Sequence, residues 1–168
     1  MKKLLVIATL LLSVPAMAQI KSASLTASGL TCSMCSKAIY KALLKVPSIR
    51  NVDVDIEKST YGIHFKENAS VDIDAVKKAV LDAGFSVASM KVTANFNNVA
   101  VANDAPITFA GSNFYFLGIS KQTLNGDRTL TVLDKDYLSA RDYKKYSNNP
   151  EMKKVATASG SKTYHVTF

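Results

Sequence analysis

Residues 21–27 alternate, with Ala23, Leu25 and Ala27 on one side, and the alternation predicts a first strand. Gly29-Leu30-Thr31-Cys32 then breaks it. Across residues 33–46 the apolar spacing changes to three and four, through Cys35, Ala38, Ile39, Ala42, Leu43 and Val46. Lys37, Lys41 and Lys45 fall on another face at i, i+4 spacing. That is an amphipathic helix stopped near Pro47, since proline cannot donate to the helix ladder.

Alternation returns at residues 49–56, where Val52, Val54 and Ile56 point one way and Asp53 and Asp55 the other. Residues 57–60 can turn the chain, and Tyr61, Ile63 and Phe65 alternate after them, so the two runs predict a hairpin. Ile73, Val76, Lys77, Val80 and Leu81 fit a second amphipathic helix, with Asp72 and Asp74 near its positive end and Gly84 as terminator. Residues 85–93 supply a further strand. The order strand, helix, strand, strand, helix, strand predicts an α+β fold, a ferredoxin-like sandwich with both helices on one face, over residues 22–96.

Residues 97–105 are small and polar and read as a linker. Beyond them, residues 106–168 have the habits of a small, mostly-β domain, expected as an open barrel. Residues 107–110 and 113–119 are strand-like and aromatic, and Asn125-Gly126-Asp127 is a turn signal ahead of a strand over 129–133. Tyr137, Tyr143 and Tyr146 fit either a short helix or a half-buried strand, and residues 162–168 alternate as a closing strand. No internal repeat links the two halves.

The start of the chain reads differently. Lys2 and Lys3 precede a short apolar run, and Ala16-Met17-Ala18 puts small residues two apart before Gln19, the layout of a secretory signal peptide over residues 1–18. The run is shorter than the roughly 20 apolar residues that span a bilayer. The expectation is export, to the periplasm or the exterior. Of the 168 residues, 48% are apolar and 20% charged, which rules out a wholly disordered chain. Removing residues 1–18 takes two lysines with it and leaves a formal charge of +6. Basic residues mix with acidic ones, so the charge is read as solubility. Nucleic acid is not an expected partner, and the mature chain carries no expected membrane segment.

The chemistry is concentrated in Gly29-Leu30-Thr31-Cys32-Ser33-Met34-Cys35. Two intervening residues let both sulfurs converge on one point. A helix start offers unpaired N–H groups and a positive dipole end, which favour thiolate over thiol. Two soft thiolates suit Cu(I) first, and also accept Hg(II), Zn(II) or Cd(II). They are too few for a closed tetrahedral zinc site. The same spacing admits a structural disulfide, which export favours, and a thiol–disulfide redox pair.

Residues 22–93 resemble the heavy-metal-associated domain family, which includes small copper chaperones, the metal-binding modules of heavy-metal P-type ATPases and the periplasmic mercury-binding protein. The family loop runs glycine, methionine, threonine, cysteine, two variable residues, cysteine. Leu30 stands here where the methionine packs beneath the loop. The resemblance implies Cys32 and Cys35 as metal ligands and Phe85, in Asp82-Ala83-Gly84-Phe85, as the aromatic packed near them. It implies a carrier, not an enzyme, that hands its ion to a metal-transport or metal-accepting protein. The competing class is an interaction module whose cysteines are a disulfide.

Other candidates have plainer readings. Met34 can add a third soft ligand, point to solvent or cover the loop, Met90 reads as strand packing, and His64 and His165 read as sheet histidines. Tyr115, Phe116, Tyr137, Tyr143 and Tyr146 read as core or interface rings. The sequence holds no phosphate-cradling glycine loop and no Ser-His-Asp arrangement.

Overall fold

The computed structural model describes residues 18–30, 33–103, 105–153 and 162–168. The expected leader lies outside them except for Ala18, which is buried against the core. The chain runs β1 (Gln19–Ser28), α1 (Ser33–Leu43), β2 (Ile49–Asp55), β3 (Thr60–Phe65), α2 (Ile73–Asp82), β4 (Ser86–Val101), β5 (Ile107–Phe109), β6 (Ser112–Phe116), β7 (Gln122–Val132), α3 (Ala140–Ser147), a 3-10 turn (Pro150–Lys153) and β8 (Lys162–Thr167).

The first six elements follow from their periodicities. In α1, Ile39 and Leu43 lie one turn apart and are fully buried; each such side chain contributes about 2 kcal/mol of burial. The helix ends at Leu43, one turn short of the expected Val46, which is buried in the turn that follows. In α2, Asp72 caps the N-terminus, its carboxylate accepting from the N–H groups of Asp74 at 2.9 Å and Ala75 at 3.3 Å. Gly84, at φ +88°, closes the other end: its N–H bonds to the Leu81 carbonyl and that of Phe85 to the Val80 carbonyl, a Schellman pair.

The eight strands of the described residues form one sheet in the order β2-β3-β1-β4-β7-β8-β6-β5. The architecture is α+β, and the sheet is open, with β2 and β5 at its edges, so the second half does not close into a barrel. Residues 97–101, inside the stretch expected as a linker, are the end of β4 and pair with β7 as far as Val101 opposite Gln122. Asn125-Gly126-Asp127 makes no hairpin turn. It lies within β7 opposite a bulge in β4, where the Asn98 N–H bonds to the Asn125 side chain and Gly126 takes φ +70°. Residues that favour turns therefore serve a bulge here, because a long partner strand is present to pair on both sides of it.

One apolar core runs under the whole sheet, from Leu25, Ile63 and Val92 to Phe114, Leu130 and Val166. β6 is buried along its entire length. Phe114 and Phe116 face this core, while Tyr115 points to a second cluster with Leu117, Leu133 and Leu138, against which Tyr143, Tyr146 and Met152 pack. Tyr143 and Tyr146 are on α3, which settles the helix alternative for that stretch.

Candidate metal centre

β1 delivers the chain to the loop at Ser28. Gly29 adopts φ +85°, a conformation that L side chains rarely take, and Leu30 packs partly buried against the core. Thr31 and Cys32 lie outside the described residues. Cys35 sits half-buried in the first turn of α1. That turn carries no acidic residue of its own. Met34 beside it is 69% exposed. Phe85 is partly buried against the core at the start of the last strand of this unit.

Tyr61, the inward residue near the start of β3, is fully buried beneath α1. Its hydroxyl lies 3.5 Å from the Ser36 carbonyl oxygen. Burial above all pushes the phenol pKa up; the Ser36 side chain, as a hydrogen-bond partner, opposes this and the Cys35 side chain adds to it. The hydroxyl therefore keeps its proton and remains a donor under the site. The sequence shows Tyr61 only as one apolar position in an alternation. The available signal was that a tyrosine facing a core must bring a polar tip with it.

The other sequence candidates lie elsewhere. Met90 is fully buried in β4. His64 is half-exposed and sits 2.8 Å from the Asp53 carboxylate. His165 is buried, its Nδ1 2.7 Å from Asp134 and its ring stacked on Tyr115. Among the described residues no three His, Cys, Asp or Glu side chains gather as a metal site.

A polar constellation lies at the N-terminus of α2, where the two halves of the chain meet. Lys162 of β8 reaches Asp72 at 2.9 Å and Asp74 at 3.0 Å. The Tyr137 hydroxyl donates to Asp74 in a short hydrogen bond, and Lys77 stands over the Tyr137 ring at 4.4 Å while pairing with Asp74 at 3.3 Å. Asp72 above all, with Asp74 adding to it, holds the Lys162 ammonium above the usual lysine range. Burial would raise the Asp74 carboxyl, but Tyr137, Lys162 and Lys77 outweigh it and hold the pKa below the ordinary carboxylate value. This cluster is closed on itself and describes a seam.

Residues 24–86 match the family described as Heavy-metal-associated domain. The chain is 30% identical over 59 residues to the Copper chaperone CopZ of Staphylococcus haemolyticus, covering 35% of this chain and 85% of that protein. It is 34% identical over 86 residues to the Mercuric transport protein periplasmic component of Shigella flexneri, covering 51% of this chain and 93% of that one. It is also 33% identical over 67 residues to the Probable copper-transporting ATPase HMA5 of Arabidopsis thaliana, covering 40% of this chain and only 7% of the ATPase.

Proposed function

Because the chain belongs to the heavy-metal-associated domain family, we propose that it is an exported carrier of a soft metal ion, held between Cys32 and Cys35 and released by thiolate exchange. What carries this reading is Cys35 itself, half-buried in the first turn of α1, in a turn that holds no carboxylate. A thiolate there meets the positive end of the helix, and an incoming thiolate from an acceptor can bind before one of the pair leaves. The ion is cargo, and the chain's own work is to capture it, shield it and let it go.

Cu(I) is the first candidate, on the softness of the two sulfurs and the likeness to a copper chaperone. Hg(II) is the second reading, favoured by the longer match to a mercuric transport component. Export rests on the leader pattern in residues 1–18, and β1 begins at Gln19, so cleavage after Ala18 leaves the strand whole. The distal half supports a role in docking. Its Ser139 N–H bonds to the Ala88 carbonyl at 2.9 Å, and a cavity of about 430 Å³ opens between Leu138 and Tyr143 on one side and Ser28, Leu81 and Ser86 on the other. Those last three flank the loops that precede Cys32 and contain Phe85.

The test is an anaerobic titration of the cleaved chain with Cu(I) against a competing chelator, with thiols counted before and after, and Hg(II) in parallel. One tight equivalent that protects both cysteines is expected, with its loss in the Cys32→Ser, Cys35→Ser double variant. Two reactive thiols with no competitive uptake of either ion would overturn the proposal in favour of an interaction module.

A further inference from the structure

Tyr61 holds a polar atom where the rest of its strand holds hydrocarbon. Its inward neighbours along β3 are Ile63 and Phe65, both buried, and its own side chain is fully enclosed. A hydroxyl taken out of water is normally well hydrogen-bonded, and one that is not calls for an explanation. Among the described residues its partner is Ser36, with the carbonyl oxygen at 3.5 Å, the far limit for such a bond. In an α-helix that carbonyl is already the acceptor of the amide four residues on. Ser36 is itself buried and directly follows Cys35 in the chain. Packing alone would be served as well by phenylalanine, so the oxygen is the feature to account for.

We propose that Tyr61 is a positioning residue for Cys35: its buried hydroxyl braces the first turn of α1 from below, at Ser36, and so governs how firmly Cys35 keeps its metal. The inference rests on the metal-carrier reading and adds a residue to it. A donor in a low-dielectric interior acts more strongly than one in water. Groups standing behind a metal ligand orient it and tune its hold on the ion. Tyr61 acts through the turn and is not itself a ligand.

The experiment uses the cleaved chain, residues 19–168, and its Tyr61→Phe variant, which keeps the ring and removes the oxygen. The rate of Cu(I) release to a competing chelator is measured beside the thermal midpoint. Release about 3- to 10-fold faster than in the parent, the scale of one hydrogen bond, is expected, with a midpoint within a few degrees of the parent's. Unchanged release overturns the inference, whether or not the midpoint falls, because a merely structural hydroxyl would move only the midpoint. The Cys32→Ser, Cys35→Ser variant separates the two levels. If it abolishes uptake while Tyr61→Phe releases like the parent, only the role of Tyr61 falls. If it still binds one equivalent, the metal site itself is wrong.

Discussion

The starts of α1 and α2 are built in opposite ways. At α2 the N-terminus is answered twice: the Asp72 carboxylate accepts from the N–H groups of Asp74 and Ala75, and Asp74 sits in the first turn. Lys162 and Tyr137 then tie both carboxylates to the distal half. At α1 the first turn has no acid and offers Met34 to solvent and Cys35 half-buried. The two helices lie side by side on one sheet, so the contrast is not one of position in the core. The positive end of α2 is answered by the chain's own carboxylates and turned to stability. The first turn of α1 carries no acid of its own, and a thiolate is the anion its sequence provides there.

Several substitutions break or sharpen this contrast. The largest effect is at α1, where the Cys32→Ser, Cys35→Ser variant loses its equivalent of soft metal while unfolding in denaturant as the parent does. Next comes Tyr137→Phe, which removes the hydroxyl from Asp74 and keeps the buried ring. A stability loss of about 2 kcal/mol is expected near neutral pH, from the scale of a hydrogen bond to a charged group, read by urea unfolding with metal uptake unchanged.

That loss has a defined pH dependence. The folded Asp74 pKa is depressed, so its contribution is complete above the unfolded carboxylate pKa of about 3.9 and fades as pH falls through the folded value. The gap between parent and Tyr137→Phe should therefore close on acidification below about pH 4. A gap constant down to pH 2 would show that the lost hydroxyl acted on something other than the Asp74 carboxylate.

Asp72→Ala removes the cap and one partner of Lys162, and should cost about 1 kcal/mol by the same unfolding measurement. The smallest effect sharpens the contrast from the other side. Met34→Asp gives the first turn of α1 the carboxylate it lacks, and should weaken Cu(I) binding by about 2- to 5-fold, the scale of a helix-end charge. An increase in affinity would mean that the open helix end does not favour the thiolate.

Much of this was legible in the sequence where a repeating pattern met a strong stop signal. Ile39 and Leu43 ahead of Pro47, and Val76 and Val80 ahead of Gly84, locate both helices because local periodicity and tertiary burial agree. The distal half was less legible because its elements depend on partners far away in the chain. Asn98 and Gly126 look like turn residues and become a bulge only because β4 and β7 run alongside each other. For α3 a local signal did exist. Ser139 and Asp142 form a capping pair, with the Asp142 N–H bonded to the Ser139 hydroxyl oxygen at 3.1 Å, and that pattern favours the helix over the strand. At the candidate site, Cys35 was readable from its spacing, whereas Tyr61 was hidden within an alternation that treats tyrosine as one more apolar residue.

The strand order carries a consequence for how the molecule comes into being. β8, latest of the eight in chain order, lies between β7 and β6, pairing antiparallel with one and parallel with the other. Until it has been synthesised, β5 and β6 have no ladder joining them to the remainder of the sheet, and the aromatic side chains of Phe114 and Phe116 have no neighbouring strand on that side. Such long-range parallel pairing is slow to form. In a nascent chain the β5–β6 pair therefore stays apart from the rest of the sheet until β8 has been made. The first four strands pair with one another without it, so the two halves close at different times, and β8 is the bolt that closes the second.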